Sequence, residues 1–426
     1  MKNLQPPLHP RSIPGSSARL SQTLKPYPAG RETIRFLPMA AFSGILRVSM
    51  RIAIDAHAVG TQLAGNETYI RQLITALAEI DTRNDYTLYV TRPAAFDLFH
   101  NRWPNFSVRR TLPHTPLIRI PVTLELELRR HPVDVLHVQF TAPPFAPCPV
   151  VATIQDLAFE HIPETFRPNS WMQMRLTVRH TVKRAAHLLA VSEYSRQDVI
   201  KTYGVAPERI TTTLLAAPPN FVPVENATEI KRVREKYNLP ENYVLAVGSI
   251  QPRKNLVRLI EAYDCLHSTR GAGTIPHLVL VGKKAWLYGD TLRAVAQSSC
   301  AEKIFFTGYV SEDDLPALYS QAVCFAYPSY FEGFGLPPLE AMQCGTPVIV
   351  GNRTSLPEVV GIAGVQVDPF DVKGLALALE RVLYDDEWRA QLRRQGLQRA
   401  REFHWHETAR LTLQGYEKAA RRLIES

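Results

Sequence analysis

From residue 51 onward, short apolar runs alternate with longer stretches whose apolar residues recur every three or four positions. RIAIDAH (51–57), DYTLYVT (85–91), VDVLHVQF (133–140), VVATIQDL (150–157) and HLLAVS (187–192) read as strands. A second series begins near residue 243, with YVLAVGSI (243–250), HLVLVGKK (277–284), KIFFTGYV (303–310), VCFAYPS (323–329) and PVIVGN (347–352). Helical spacing marks YIRQLITALAEI, NLVRLIEAYDCLH, DDLPALYSQA and the stretch after the proline pair at 337–338. Strands that are apolar throughout, rather than alternating, belong to parallel sheets covered on both faces. The pattern predicts an α/β chain of two doubly wound domains, with no internal sequence repeat.

Between the two series, PPNFVPVENATEIK is proline-rich and irregular, as a hinge would be. The expected organisation is a first domain over 50–225, a second over 226–403, and an amphipathic helix over 404–426 that returns to the first. Two such domains bind ligands at the carboxyl ends of their strands, in the cleft between them.

A chain of 426 residues is too long for one ordinary core, which agrees with two domains. No apolar run approaches the roughly 20 residues that a membrane span needs. Five scattered cysteines without metal or CxxC spacing suit a reducing compartment. The net charge is +9, but residues 1–49 carry seven Lys/Arg against one acid, Glu32, leaving +3 for the rest. That segment also holds seven prolines and no periodicity. It reads as a disordered basic extension, with Met50 a candidate for the true start. Basic residues without interleaved aromatics or a DNA-binding motif argue against nucleic acid.

The chemistry concentrates in YFEGFGLPPLEAMQCG (330–345). Gly333 and Gly335 allow a sharp turn and a close backbone approach to a ligand. Pro337 or Pro338 suits the first turn of a helix, which Gly345 ends and Pro347 keeps from continuing. Such a helix start favours phosphate. Glu340, expected on its first turn, can accept hydrogen bonds from a diol such as ribose, each contributing roughly 1.5–3 kcal/mol. Glu332, on the loop before it, is placed to meet a second polyol. The plain alternatives are a carboxylate complementing a helix dipole and a solvated loop charge. The third glycine of GxGxxG is absent, so the dinucleotide fingerprint is not met. After YVLAVGSI comes QPRKN, where Arg253 and Lys254 can neutralise a diphosphate without a metal. No DxD pair occurs that could hold a metal-dependent clamp.

These segments resemble the group 1 (family 4) retaining glycosyltransferases of the GT-B fold. EGFGLPPLEAMQCGTPVI is similar to that family's E-x7-E signature and GSIQPRKN to its phosphate loop. IAIDAHAVGTQLAGNETYI, HLLAVSEYSRQDVIKTYGV, FFTGYVSEDDLPALYSQA and SLPEVVGIAGVQVDP match further family segments. The resemblance spans about 51–420 and implies transfer of a hexosyl group, mannose or glucose, from a nucleotide-diphosphate sugar with retained anomeric configuration. It implies that Arg253 and Lys254 hold the diphosphate, Glu340 the ribose and Glu332 the sugar. Backbone at Phe334, Gly335 and Leu336 would touch sugar and phosphates, and Gly65, in the first loop, would face the donor from the other domain. Neither cofactor nor metal is implied. Where many members carry a histidine, this chain has Gln155, which can contact the sugar but cannot shuttle a proton. His137, His161 and Asp156 are candidate substitutes, and a leaving-phosphate oxygen could take the proton with no base at all.

For the acceptor, a glycan or lipid-linked molecule, the guide is WMQMRLTVRHTVKRAAHLLA. It carries Arg175, Arg179, Lys183 and Arg184, and no acid occurs between Phe166 and Ser192. A basic amphipathic helix can lie on an anionic membrane surface, which suits a cytoplasmic enzyme held peripherally; packing on the first domain is the plain reading. Rival classes are another enzyme on this scaffold, such as a nucleotide-sugar epimerase or a phosphorylase, and a non-catalytic nucleotide-sugar-binding protein.

Overall fold

The computed structural model describes residues 49–61, 64–271 and 275–425; the basic extension expected over 1–49 falls almost wholly outside them. Two sheets form, every pairing parallel. The first contains β1 (Arg51–Asp55), β2 (Asp85–Val90), β3 (Phe106–Arg110), β4 (Val135–Gln139), β5 (Val150–Ile154), β6 (His187–Ala190) and β7 (Ile210–Thr212), in the order β3-β2-β1-β4-β5-β6-β7. The second contains β8 (Tyr243–Val247), β9 (His277–Val281), β10 (Ile304–Gly308), β11 (Cys324–Tyr327), β12 (Val348–Gly351) and β13 (Val365–Val367), in the order β10-β9-β8-β11-β12-β13. The predicted strands are present, and β4, β5, β6, β11 and β12 are buried at every residue. Three strands escape the pattern: β3, β7 and β13. Each is the last strand on its side of a sheet and partly exposed, so no continuous apolar run marks it.

Chain order reverses between β1 and β4 in the first sheet and between β8 and β11 in the second. Crevices at such switch points, outside the carboxyl ends of the strands, are where open α/β sheets hold ligands. Arg253 and Lys254 follow β8, and Glu332 follows β11. Gln139 ends β4, beside β1.

The closing helix, Trp405–Glu425, lies against the Ala64–Ile80 helix and along β5 and β6. A buried polar chain fastens it there. His137 Nδ1 is 2.7 Å from the Tyr416 hydroxyl, and its Nε2 is 2.8 Å from Thr153 Oγ1. Thr153 in turn lies 2.7 Å from the Tyr69 hydroxyl. Burial pushes the His137 imidazole down to about 3, so it stays neutral. His137 therefore ties helix to sheet and is not the proton acceptor that its position in sequence offered.

Two local expectations shift. The helix after β1 begins at Ala64, so Gly65 sits on its first turn and not in a loop. Glu340 is the fifth residue of the helix Leu336–Gln343 and belongs to the second turn. An unforeseen π-helical turn, Arg119–Leu124, carries Arg119, fully buried, whose Nη1 lies 2.8 and 2.9 Å from the two carboxylate oxygens of Asp55.

Candidate active site

The turn after β8 positions two cations. Asn255 takes a left-handed backbone conformation there, and its side chain bonds the carbonyls of Pro328 and Pro369. This anchors Arg253 and Lys254 against the loop after β11. That loop is held from the opposite side by Ser355, whose hydroxyl is 2.9 Å from the carbonyls of both Glu332 and Phe334. The Glu332 N–H donates to Thr354 Oγ1 at 3.0 Å.

The loops bring Glu332 onto both cations. Its Oε1 is 2.6 Å from Lys254 Nζ and 2.6 Å from Ser329 Oγ; its Oε2 is 3.3 Å from Arg253 Nη1. Lys254 also donates to the Tyr327 hydroxyl. Glu332 is 6% exposed, so it is no solvated loop charge. Burial alone would raise its carboxyl, but Lys254 and Arg253 outweigh it and hold the group down to about 2. Lys254 is lowered to about 8, chiefly by burial and partly by Arg253, with Glu332 opposing. From the other lobe, Asp156 Oδ2 stands 3.7 Å from Arg253 Nη1. Two positive and two negative groups thus balance, and an incoming anion must compete with carboxylates already on the cations.

Ser49–Ser426 cluster into a single unit, in which the two lobes touch around this loop. Gly333 meets the carboxyl end of β5 directly: a Cβ at Gly333 would fall 1.8 Å from the Gln155 carbonyl oxygen. Ser192 Oγ donates to the Gly333 carbonyl at 2.6 Å, and Ser195 Oγ is 3.0 Å from the carbonyls of Gly333 and Gln155. Phe331 packs between His161 and Tyr194 of the first lobe. Glu358 accepts the N–H groups of Glu193 and Tyr194 at 2.8 and 3.1 Å, completing the first turn of a helix across the lobe boundary.

The remaining predicted residues divide. Gln155 Nε2 donates to Gln139 Oε1 at 2.8 Å at the carboxyl ends of β4 and β5. His161 Nε2 is engaged by Asp198 at 2.7 Å, and Asp156 also accepts the Ala158 N–H at 3.0 Å. Phe334 turns its ring into the core against Phe403, and Leu336 is buried, which leaves their backbone alone for a ligand. Gly335 needs its left-handed conformation, with φ of 105°. The helix start offers little to a phosphate beyond the Leu336 N–H, because Pro337 and Pro338 carry no donor. Glu340 is buried, accepts from the Tyr319 hydroxyl at 3.0 Å, and is raised by burial to about 7. Gly65 is exposed with no atom within 4 Å of a Cβ, open space on a first turn. Sequence reasoning missed Tyr327, Ser329, Ser192, Ser195 and Glu358. Ser192, Ser195 and Glu358 lie in family-matching segments, but their roles, like that of Tyr327, depend on contacts distant in sequence, while Ser329 meets Glu332 from three residues away.

Two family models match the chain, one described as Glycosyltransferase Family 4 over residues 64–213 and one as Glycosyl transferases group 1 over residues 228–399. The chain is 36% identical over 269 residues to O-antigen chain mannosyltransferase B of Escherichia coli, covering 63% of this chain and 70% of that protein. It is 33% identical over 237 residues to the serotype-specific mannosyltransferase WbdA of the same species, covering 55% of this chain but only 29% of WbdA. Among solved structures it resembles sucrose-phosphate synthase from Thermosynechococcus elongatus, with a TM-score of 0.69 at 21% identity over 88% of this chain and 99% of that one. That likeness shows the fold, the two facing parallel-sheet lobes of GT-B. With the strand-end cations, the E-x7-E loop and these matches together, the chain belongs to the group 1, family 4 glycosyltransferases.

Proposed function

We propose that the chain moves a mannosyl group from a nucleotide-diphosphate mannose to a hydroxyl of a glycan or lipid-linked acceptor, with retained anomeric configuration. The observation that carries this reading is the convergence of Arg253, Lys254 and Glu332 at the β8/β11 switch point. The mannosyltransferase relatives support the choice of sugar.

In this reading the diphosphate takes over Arg253 and Lys254, which neutralise its charge without a metal. Glu332, released from the cations, accepts hydrogen bonds from the sugar's hydroxyls, and Glu340 accepts from the ribose. Backbone at Phe334, Gly335 and Leu336 approaches the phosphates and sugar, Gly65 faces the donor from the opposite lobe, and Gln155 contacts the transferred sugar. The acceptor oxygen bonds to the anomeric carbon on the face that the phosphate leaves. Its proton passes to the departing phosphate oxygen, so no side-chain base is required; Gln155 could not supply one. The basic helix Pro168–Arg184 supports a peripheral position on an anionic membrane surface from the cytoplasmic side.

Incubation with labelled GDP-, UDP- and ADP-sugars and acceptor extracts, followed by NMR of the new anomeric centre, tests the reading. Transfer with retention, unchanged by EDTA, is expected. Inversion of the centre, or isomerisation of the donor without an acceptor, would replace it with another reaction on the same scaffold.

A further inference from the structure

The helix Pro168–Arg184 has a face that the fold leaves unused. Val178, Thr181 and Val182 turn inward and are buried. Outward run two neighbouring rows at four-residue spacing: Met172, Leu176, His180 and Arg184, and beside them Arg175, Arg179 and Lys183. All seven are exposed, Leu176 at 63%. The helix contains no Asp or Glu. Arg175 pairs with Glu160, whereas among the described residues Arg179, Lys183 and Arg184 have no ion-pair partner.

Facing Leu176 is Leu117, 69% exposed, on the short helix Pro116–Ile118 that runs into the π-helical turn. Between these elements lies a groove of about 250 Å³, walled by Leu117, Ile120, Pro144, Leu176 and His180, with Ala142 among its lining residues. Besides Gln173 and His180 at its rim, the groove's polar groups bond one another or the backbone. The Ala142 N–H donates to Thr181 Oγ1 at 2.9 Å, and the Thr141 and Thr177 hydroxyls are 3.1 Å apart. What faces the opening is therefore mainly hydrocarbon, whose burial by an apolar ligand is favourable. Thr141 and Ala142 follow Gln139 by two and three residues, which puts this end of the groove beside the first sheet's switch point.

We infer that this groove holds one hydrocarbon chain of an anionic, lipid-linked acceptor, with the phosphate of its head on the Arg179–Lys183 row. The inference rests on the glycosyl-transfer reading and narrows its acceptor. Apolar walls alone would take any chain. The adjoining Arg179 and Lys183, without ion-pair partners among the described residues, favour a chain that carries a negative head, by direct charge complementarity. The position beside Gln139 directs the sugar-bearing end of the same molecule toward the cleft. An anionic bilayer could engage the basic row by itself, but a groove between two elements fits a single chain.

Calorimetric titration of the full chain tests this with dodecyl phosphate below its aggregation threshold, inorganic phosphate as the head alone, and a neutral dodecyl glucoside as the chain alone. Saturable one-to-one binding of dodecyl phosphate is expected, with weaker binding of the glucoside and none of inorganic phosphate at the same concentration. Leu176→Glu should weaken dodecyl phosphate roughly tenfold or more, and the pair Arg179→Gln, Lys183→Gln several-fold; these exposed positions tolerate the changes, as an unaltered Tm would confirm. Absence of one-to-one binding, or equal affinity in Leu176→Glu, overturns the inference. Binding confined to phosphatidylglycerol vesicles also overturns it and makes the face a bilayer contact. Thermal shifts with GDP-, UDP- and ADP-mannose separate the two claims, because failure of all three sinks the donor reading while leaving the dodecyl phosphate result standing.

Discussion

Lys254 Nζ lies 2.6 Å from Glu332 Oε1, although the two residues are 78 positions apart. The pair is buried and joins the ends of β8 and β11 across the switch point. A buried ion pair contributes little net stability when intact, yet leaves an uncompensated charge when one partner is removed.

Lys254→Met and Glu332→Gln should therefore differ from their combination. Lys254→Met leaves Glu332 buried with the Ser329 hydroxyl and, for a cation, the longer Arg253 contact, and is expected to destabilise by about 3 kcal/mol or more. The double variant should recover much of that loss while remaining inactive in transfer. Urea denaturation of the four proteins measures the coupling; strictly additive effects would mean the pair does not interact as drawn.

Glu332→Gln should also separate binding from turnover. With this carboxylate gone, Asp156 still faces Arg253 at 3.7 Å but Lys254 loses its competitor, so nucleoside diphosphate binds several-fold tighter. Sugar transfer falls by roughly 100-fold, because the hydroxyl contacts that orient the sugar are lost. Titration calorimetry against GDP and UDP, beside steady-state rates, reads both; weaker nucleotide binding in this variant would contradict the placeholder role.

Glu340 sets a pH dependence. Burial holds its carboxyl near 7, above the ordinary 4.5. The unfolded chain releases this proton first, so the group's contribution to stability is intact below about 4.5 and is lost as pH rises through 7. Glu340→Gln should raise stability at pH 8 and leave it unchanged at pH 4. The ionised form is the better diol acceptor, so affinity for a nucleotide sugar, whose diphosphate does not titrate here, should improve about tenfold from pH 6 to pH 8. Lys254, near 8, has lost about half its charge by pH 8, which trims that gain roughly twofold and reverses it at higher pH. A flat profile in wild type would remove Glu340 from the donor site.

Gly333 and Gly65 make a paired test. A methyl at Gly333 meets the Gln155 carbonyl oxygen at 1.8 Å, so Gly333→Ala must push the lobes apart and break the Ser192 contact. Transfer should fall by roughly 100-fold, and small-angle scattering should show a larger radius of gyration. Gly65→Ala meets no neighbour and sits on a helix, so Tm should hold or rise slightly. Its KM for donor should increase if the position faces the ligand.

The periodicity of apolar residues was enough to locate ten of the thirteen strands among the described residues, because a parallel strand covered on both faces must be apolar along its length. The glycine and proline spacing of 330–345 marked the loop and the helix that follows, since backbone conformation there depends on local chemistry. The short, half-exposed β3, β7 and β13 and the π-helical turn at Arg119 left no such trace.

What the chain encodes locally, then, is the two-sheet architecture and the residue types that meet at its strand ends. Tertiary structure decided their state. Glu332 became a buried carboxylate paired with two cations because two loops converge, and Glu340 became a carboxyl near neutrality because helix Leu336–Gln343 is buried. His137 became a neutral strut between sheet and closing helix, and Leu176 and His180 of Pro168–Arg184 became part of one wall of a groove. Charge, desolvation and partner distance depend on what the fold places nearby, and no spacing along the sequence records them.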